Sequence, residues 1–228
     1  MTRAEMLSEL REVIDDLMTP YAWPDPLLLG YLSEGQDVFC EDTGLFIDKT
    51  NYTIELVDGV QSYALDDRII EVLSVHDGAR RLGKSSTVDA YYPSGPEVSV
   101  SSPSAPGLPA RWRADEETGE LVFDRTPSST EAGTVLTLKV WRYSRTPLDG
   151  EDAAGDDGVP ELPRTLQRGG IEWAAYKAYM HHDEEQQDPV KAADHLAAYK
   201  RYVTRGKQFL RRRMGTDVKI ESNPAYMV

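Results

Sequence analysis

One short run contains several side chains that could bind a metal or transfer a proton. It is His181-His182-Asp183-Glu184-Glu185. Imidazole and carboxylate groups are common metal ligands. Adjacent residues on a helix point about 100° apart, however, so they do not converge on one ion. The spacing His-Glu-x-x-His, which puts two ligands and a general base on one helix face, does not occur. We interpret the run as a solvated helix end and predict no metal site.

Other residues that could carry catalysis have simpler interpretations. Cys40 lacks a nucleophile signature and is typical of a small core residue. Gly169-Gly170 is not a phosphate loop, because Gly-x-x-x-x-Gly-Lys-Ser/Thr does not occur, and neither does a Gly-x-Ser-x-Gly elbow. Acidic pairs such as Asp15-Asp16 fit solvated faces, and His76 and His195 fit ordinary surface or hydrogen-bonded histidines. The sequence therefore predicts no catalytic residues, no cofactor and no enzyme.

Length and charge limit the class of protein. The chain has 228 residues, and its 39 acidic and 25 basic side chains give a formal net charge of −14. This length fits one large domain, or one domain with an insertion, and can bury a core. The acidic balance argues against a protein that coats nucleic acid with its whole surface. A single cysteine excludes an internal disulfide framework and a multi-cysteine zinc site.

We expect no targeting signal and no membrane segment in this sequence. No apolar run approaches the roughly 20 residues that a membrane helix needs. The first residues, MTRAEMLSELREVIDD, are amphipathic and acidic, unlike a secretory signal. We therefore expect a soluble globular protein that is made in the cytoplasm and has no membrane partner.

Two helices are predicted near the N-terminus. Thr2 and Glu5 have the spacing of a capping box, and apolar residues follow at helical spacing, which predicts a helix over 2–18. Asp25-Pro26 predicts the N-cap and first residue of a second helix, which runs to about Asp42 with Gly44 as its C-terminal exit. The apolar stripe predicted for the first helix is Met6, Leu7, Leu10, Val13, Ile14, Leu17 and Met18.

The apolar period then changes from 3.6 to 2. Alternating or β-branched residues predict four strands, at 52–56, 69–75, 121–123 and 135–143. The Ser/Pro/Gly-rich stretch 94–109 fits a surface arm between the second and third strands. Helices resume near Pro163, and Asp188-Pro189 predicts the cap and start of a long fourth helix that ends at Gly215.

Together these elements predict an α+β fold. The N- and C-terminal helix pairs, in residues 1–48 and 160–215, are expected to form a four-helix bundle. Residues 49–148 are expected to form a small antiparallel β module inserted into it. The acidic composition of 149–159 predicts a loop, and 216–228 lacks periodicity and predicts an extended C-terminal tail.

Charge is distributed unevenly along the chain. Residues 1–60 contain thirteen acids and three bases, whereas residues 191–219 contain nine bases and two acids. One interpretation is a solvated basic helix end, where cations oppose the helix dipole. The other is a docking segment for an acidic partner or a phosphate backbone. Aromatic residues between the cations suit a protein groove as well as nucleic acid.

Several short segments follow one another in a distinctive order from the first helix onward. They are Trp23-Pro-Asp-Pro before a helix with Tyr31-Leu32, Gly59-Val-Gln-Ser-Tyr63-Ala-Leu65, Ile69-Ile-Glu-Val72-Leu-Ser-Val75, Leu138 to Tyr143 with Pro147-Leu148, Val159-Pro-Glu-Leu-Pro163, Ala174-Ala-Tyr176-Lys-Ala-Tyr179, and a closing helix with Ala193, Tyr199 and Tyr202. Over nearly the whole chain, this order and spacing resemble the head–tail adaptor (connector) proteins of tailed bacteriophages.

The resemblance implies a structural virion protein at the head–tail interface, made in the host bacterial cytoplasm. Such proteins form a ring, usually of twelve copies, between the portal protein and a tail tube or nozzle protein. Genomic DNA passes through the ring without sequence recognition during packaging and ejection. The C-terminal region commonly reaches the portal. The portal-docking residues implied here are Lys207, Phe209, Arg211, Arg212, Arg213 and Tyr226.

Two other functions stay open at this point. A DNA-binding module could use the basic helix Lys200–Arg213, because Lys and Arg bind phosphates. An enzyme, such as a cell-wall hydrolase carried in the tail, would need paired carboxylates facing one cleft. No acidic pair in the sequence is marked out for that role.

Overall fold

The computed structural model describes residues 1–85, 106–115, 117–150, 155, 158–180 and 187–214. The helices are α1 (Arg3–Val13), α2 (Asp25–Thr43), α3 (Arg164–Tyr179) and α4 (Pro189–Met214). The strands are β1 (Ile47–Glu55), β2 (Ser62–Ala64), β3 (Ile69–Asp77), β4 (Arg80–Arg81), β5 (Gly83–Lys84), β6 (Arg111–Asp115), β7 (Glu120–Phe123) and β8 (Val135–Arg142). The protein is α+β, as predicted.

The chain divides into two units. We call Met1–Leu45 with Tyr143–Val228 the helical unit, and Phe46–Arg142 the strand unit. In the helical unit α3 contacts α1, α2 and α4. The bundle arrangement of the four helices stays a prediction. The buried core of this unit comprises Met6, Leu10, Ile14, Trp23, Leu28, Leu29, Leu32, Leu148, Ile171, Ala174, Ala175, Ala178, Tyr179 and Ala192.

Helix α1 begins as predicted but ends earlier. Thr2 Oγ1 accepts from Glu5 N at 3.2 Å, and Glu5 Oε2 accepts from Thr2 N at 2.9 Å, which confirms the capping box. The prediction of a helix over 2–18 is wrong, because Asp15 has a left-handed φ of 58° and the chain turns away. Leu17 and Met18, predicted to face the core, are 61% and 84% exposed.

A buried ion-pair network holds the turn between α1 and α2. Arg11 pairs with Asp16 and Asp25, and its Nη2 donates to Trp23 O at 3.0 Å. The guanidinium lies 3.7 Å from the centroid of the Tyr21 ring. The prediction that Asp25 caps α2 is wrong, because this carboxylate faces Arg11 and the helix begins without a side-chain cap.

Two glycines of the α2 region have distinct roles, one at the end of the helix and one at its contact with α3. Gly44 has a φ of 68°, which confirms the predicted left-handed exit of the helix. Gly35 lies against the backbone of α3, where a Cβ would come within 2.7 Å of Gly170 O. Cys40 is fully buried and confirms its interpretation as a core residue.

The strand unit contains two four-stranded sheets, with strand orders β1-β8-β3-β4 and β2-β7-β6-β5. Alternate residues of β8 are buried, so this strand has one inward and one outward side. The buried core of the unit comprises Ile54, Leu56, Val72, Val75, Leu82, Trp112, Leu121, Phe123, Leu136, Leu138 and Val140.

The four predicted strands are confirmed as β1, β3, β7 and β8. The prediction of an antiparallel module is wrong for one pair, because β5 and β6 run parallel. Strand β6 was not predicted from its sequence Arg-Trp-Arg-Ala-Asp, in which Trp112 alone is buried and so gives no periodic signal. Of the predicted arm 94–109, residues 94–105 lie outside the described residues, and Leu108 packs against the core.

Within the ranges described above, no helix combines the length and apolar character needed to cross a bilayer. The predictions for the tail 216–228, for the run 181–185, for Gly215 and for most of the acidic loop 149–159 fall outside the described residues.

Candidate functional site

Helix α4 has one buried side and one cationic side. Its 26 residues span about 39 Å. Asp188 Oδ1 accepts from two amides of the first turn at 3.1 Å, which confirms the predicted cap. Ala192, Tyr199 and Leu210 are buried along the inner side.

Exposed cations cover the outer side of α4. The eight basic residues are Lys191, Lys200, Arg201, Arg205, Lys207, Arg211, Arg212 and Arg213. Asp194 is the single acidic residue of the helix, so the net charge of α4 is +7. Apart from Lys191, which lies 3.9 Å from Asp188, none of these cations pairs with a carboxylate in the described part of the chain. A positive surface without counter-charge is suited to an anionic partner.

The structure places five of the six predicted docking residues on the last two turns of α4. Four of them are exposed cations, namely Lys207, Arg211, Arg212 and Arg213. Phe209 is half-buried, and the guanidinium carbon of Arg213 lies 5.9 Å from the centroid of its ring. The sixth, Tyr226, lies outside the described residues.

Aromatic contacts fix the buried side of α4 to its neighbours. The Tyr199 hydroxyl donates to Asp42 Oδ2 at 2.6 Å. Burial and the Asp42 carboxylate both raise the pKa of Tyr199, so this phenol stays a neutral donor. The Tyr199 ring lies 5.0 Å from the Trp173 ring and 6.2 Å from the Phe39 ring, centroid to centroid. The cationic side is therefore presented by a helix that packs firmly on α2 and α3.

A chain of ion pairs runs across α1, α3 and α4. Arg168 pairs with Glu9, and its Nε donates to Glu172 Oε1 at 3.0 Å. His195 Nδ1 lies 2.7 Å from Glu172 Oε2, which confirms His195 as a hydrogen-bonded histidine. Burial raises the pKa of Glu172, but the hydrogen bonds from His195 and Arg168 outweigh it, and the pKa is lowered overall.

This network predicts a pH-dependent stability. Because its pKa is lower in the folded state, Glu172 stabilises the protein above its unfolded pKa of about 4.3, and the contribution is lost as pH falls through the folded pKa. We expect Glu172→Gln to lower the urea midpoint at pH 7 and to have a much smaller effect at about pH 3. An equal effect at both pH values would show that the carboxylate charge does not matter.

A surface groove of about 570 Å³ lies beside α1 and contains three glutamates. Glu5 belongs to the capping box, and Glu9 pairs with Arg168. Glu12 is the third carboxylate on the groove. Across the described ranges, His, Cys, Asp and Glu side chains form no group of three or more that could hold a metal ion. Two of the three carboxylates thus have structural roles.

The strand unit contains a second cationic cluster, which the sequence pattern did not predict. The register pairs Ser74 with Lys139 and His76 with Arg81, and the irregular part of β1 that contains Lys49 lies opposite Lys139. Burial, together with Lys49 and Arg81, lowers the pKa of Lys139. Three cations on three strands leave no pattern in the linear sequence, so only sheet pairing reveals them.

A comparison with protein families agrees with a structural role. Residues 1–220 match the sequence profile described as SU10 adaptor protein, which confirms the resemblance to phage head–tail adaptors. No curated protein matches the sequence. A family of structural phage adaptors argues against catalysis and implies contact with other virion components. The match covers the helical unit and the strand unit, so the chain belongs to the SU10 adaptor protein family.

Proposed function

We propose that twelve copies of this protein form a ring around the DNA channel, between the portal and the tail of the phage particle. The observation that carries the proposal is the cationic side of α4, net +7, on a chain whose residues 1–220 match an adaptor family. The ring extends the conduit through which genomic DNA is packaged, retained and ejected. The protein is made in the host cytoplasm, binds no cofactor and catalyses no reaction.

The portal contact falls on the C-terminal end of α4 in this proposal. The residues on α4 are Lys207, Phe209, Arg211, Arg212 and Arg213, and Tyr226, which follows α4 in the sequence, completes the proposed set. Exposed cations increase the association rate with an acidic partner and select the correct register, while Phe209 supplies an apolar contact. The tail tube or nozzle protein binds another surface of the same ring.

Reversing the charge of Arg211, Arg212 and Arg213 to Glu is expected to weaken portal binding by about ten- to 100-fold. The three side chains are exposed, so Tm should fall by only a few degrees. Portal affinity measured by surface plasmon resonance and Tm measured by calorimetry check both expectations.

The matched control reverses Arg111, Arg113 and Arg125, which are exposed cations of the strand unit. The net charge change is the same, and portal binding should stay within about threefold of the original protein. Equal losses in both variants would assign the effect to net charge instead of α4. Unchanged binding in the α4 variant would contradict the docking assignment, and absence of the protein from the capsid–tail vertex in electron microscopy would contradict the function.

The second candidate function is duplex DNA binding through α4, which the same cations favour. The logarithm of affinity would then fall with the logarithm of salt concentration by about 0.9 for each phosphate contacted. Tight, salt-sensitive binding of free duplex by the purified protein would favour this candidate. Binding that is undetectable at physiological salt would favour the adaptor.

A further inference from the structure

The sheet β1-β8-β3-β4 carries basic and polar side chains on the side that faces away from its buried core. Lys139 pairs with Ser74, and His76 pairs with both Thr137 and Arg81. Residues that pair across antiparallel strands point to the same side of a sheet, and so do residues two apart on one strand. These five side chains, from three adjacent strands, therefore lie together on one side of the sheet.

Three cations gather on this side, and we call them the sheet cluster: Lys49, Arg81 and Lys139. Lys49 lies in the irregular part of β1 opposite Lys139, so the strand order places Lys139 between the other two. Lys49 and Arg81 are exposed, whereas Lys139 is half-buried. Burial lowers the pKa of Lys139, and so do the positive charges of Lys49 and Arg81. Both cations are therefore close enough to destabilise the charged form of Lys139.

No carboxylate neutralises the sheet cluster within the described part of the chain. None of its three cations forms an ion pair there. Glu71 lies on the same side of the sheet, nearer the start of β3, but it pairs with Lys84 at 3.2 Å. Like charges that are held together without a counter-charge repel one another, so an anion bound among them would lower the free energy.

Neutral hydrogen-bond donors lie beside the sheet cluster. Ser74, which pairs with Lys139, is only 4% exposed, and its Oγ lies 2.9 Å from His76 Nε2. When the imidazole donates in this contact, the Ser74 hydroxyl keeps its own hydrogen for a ligand oxygen. The cluster thus combines three positive charges with a buried hydroxyl, which are groups that commonly contact phosphate oxygens.

We infer that the sheet cluster binds one phosphate group, with Lys139 at the centre, Lys49 and Arg81 on either side and the Ser74 hydroxyl as a neutral donor. A phosphate monoester carries a charge of about −1.5 to −2 at pH 7 and three acceptor oxygens. A carboxylate has a single charge and two oxygens, so it matches three converging cations less well. This inference does not depend on the ring proposed above, because it follows from the sheet alone.

Titration of the full chain with inorganic phosphate, followed by NMR, tests the site. At about pH 7.5 and constant ionic strength, we expect the backbone amide signals of Ser74, His76 and Lys139 to shift and to saturate with a Kd on the order of 1 mM. Acetate should bind at least about tenfold more weakly, because it has a single charge.

Two variants locate the binding. Lys139→Gln should weaken phosphate binding by about tenfold or more, because a charge-assisted hydrogen bond is lost. Arg81→Gln should also weaken it, and this exposed position leaves the half-buried lysine untouched. The matched control is Lys200→Gln, which removes one exposed cation from α4 and should leave the Kd within about twofold of the original value. Equal circular dichroism spectra and Tm values show that the variants fold.

The distribution of the shifts separates a site from diffuse attraction to cations. Shifts that rise without saturation, or that are as large on α4 as on β8, would overturn the site. So would equal phosphate affinity of Lys139→Gln and the original protein.

Two further probes identify the form of phosphate that the site accepts. Glycerol phosphate represents a monoester, and dimethyl phosphate represents the diester of a nucleic-acid backbone. Saturable binding of inorganic phosphate and the monoester alone would support a site for a free or terminal phosphate group. Binding of the diester with comparable affinity would support a site for a backbone phosphate, and no saturable shift with any of the three would overturn the inference.

Discussion

Replacing Arg11 by Met is expected to destabilise the helical unit by about 3–5 kcal/mol. The guanidinium pairs with Asp16 and Asp25 and donates to Trp23 O. Without it the Asp16 carboxylate, whose side chain is 4% exposed, loses its charged partner in a site with little water. Urea unfolding followed by circular dichroism at 222 nm reports on the four helices and measures the loss.

The control for this prediction also removes the Asp16 carboxylate, which Arg11→Met leaves without its partner. Arg11→Met combined with Asp16→Asn leaves no buried carboxylate at that position, so it should recover much of the lost stability. A double variant as unstable as Arg11→Met alone would show that packing of the long side chain matters more than its charge. A single variant that loses less than about 1 kcal/mol would contradict the role of the network.

Gly35→Ala and Gly30→Ala are expected to change stability in opposite directions, although both lie in α2. A Cβ at Gly35 would come within 2.7 Å of Gly170 O and 3.1 Å of the Trp173 ring. A backbone atom cannot move aside cheaply, so α2 and α3 must separate, at a cost of about 1–3 kcal/mol or more. A Cβ at Gly30 has its nearest neighbour, Asp149 Oδ2, at 3.9 Å.

Gly30→Ala should therefore stabilise the protein by about 0.5–1 kcal/mol, because alanine loses less backbone entropy in a helix. Urea midpoints of both variants measure the two shifts. If Gly35→Ala were also stabilising, the close approach of α2 and α3 would be contradicted. If both variants were destabilising by the same amount, helix packing would not distinguish the two positions.

Local signals in the sequence were sufficient for several elements. The capping box of Thr2 and Glu5, the exit at Gly44 and the cap at Asp188 each depend on residues within one or two helical turns. The strands β1, β3, β7 and β8 were predicted because β-branched and apolar residues alternate along them. These features need no information about distant parts of the chain.

Other elements depend on buried ion pairs and were predicted wrongly. Leu17 continues the apolar spacing of α1, but Asp16 turns back to pair with Arg11 and the helix ends at Val13. Asp25 is of a residue type that commonly caps helices, but its carboxylate accepts from Arg11 instead. Both carboxylates pair with the buried Arg11 guanidinium. The free energy lost by leaving this cation unpaired exceeds the free energy gained by extending α1 by one turn.

The sequence alone predicts the α+β class, most helix starts and the charge of α4, and it carries the resemblance to phage adaptors. Each follows from periodicity, capping residues or composition, which short stretches of chain carry. Folding contacts set where α1 ends and which hydrophobic residues are exposed, and they bring Lys49, Lys139 and Arg81 together on one sheet. The sheet contacts join residues far apart in the chain, and the end of α1 depends on burial of the Arg11–Asp16 ion pair, so neither follows from apolar spacing along the sequence.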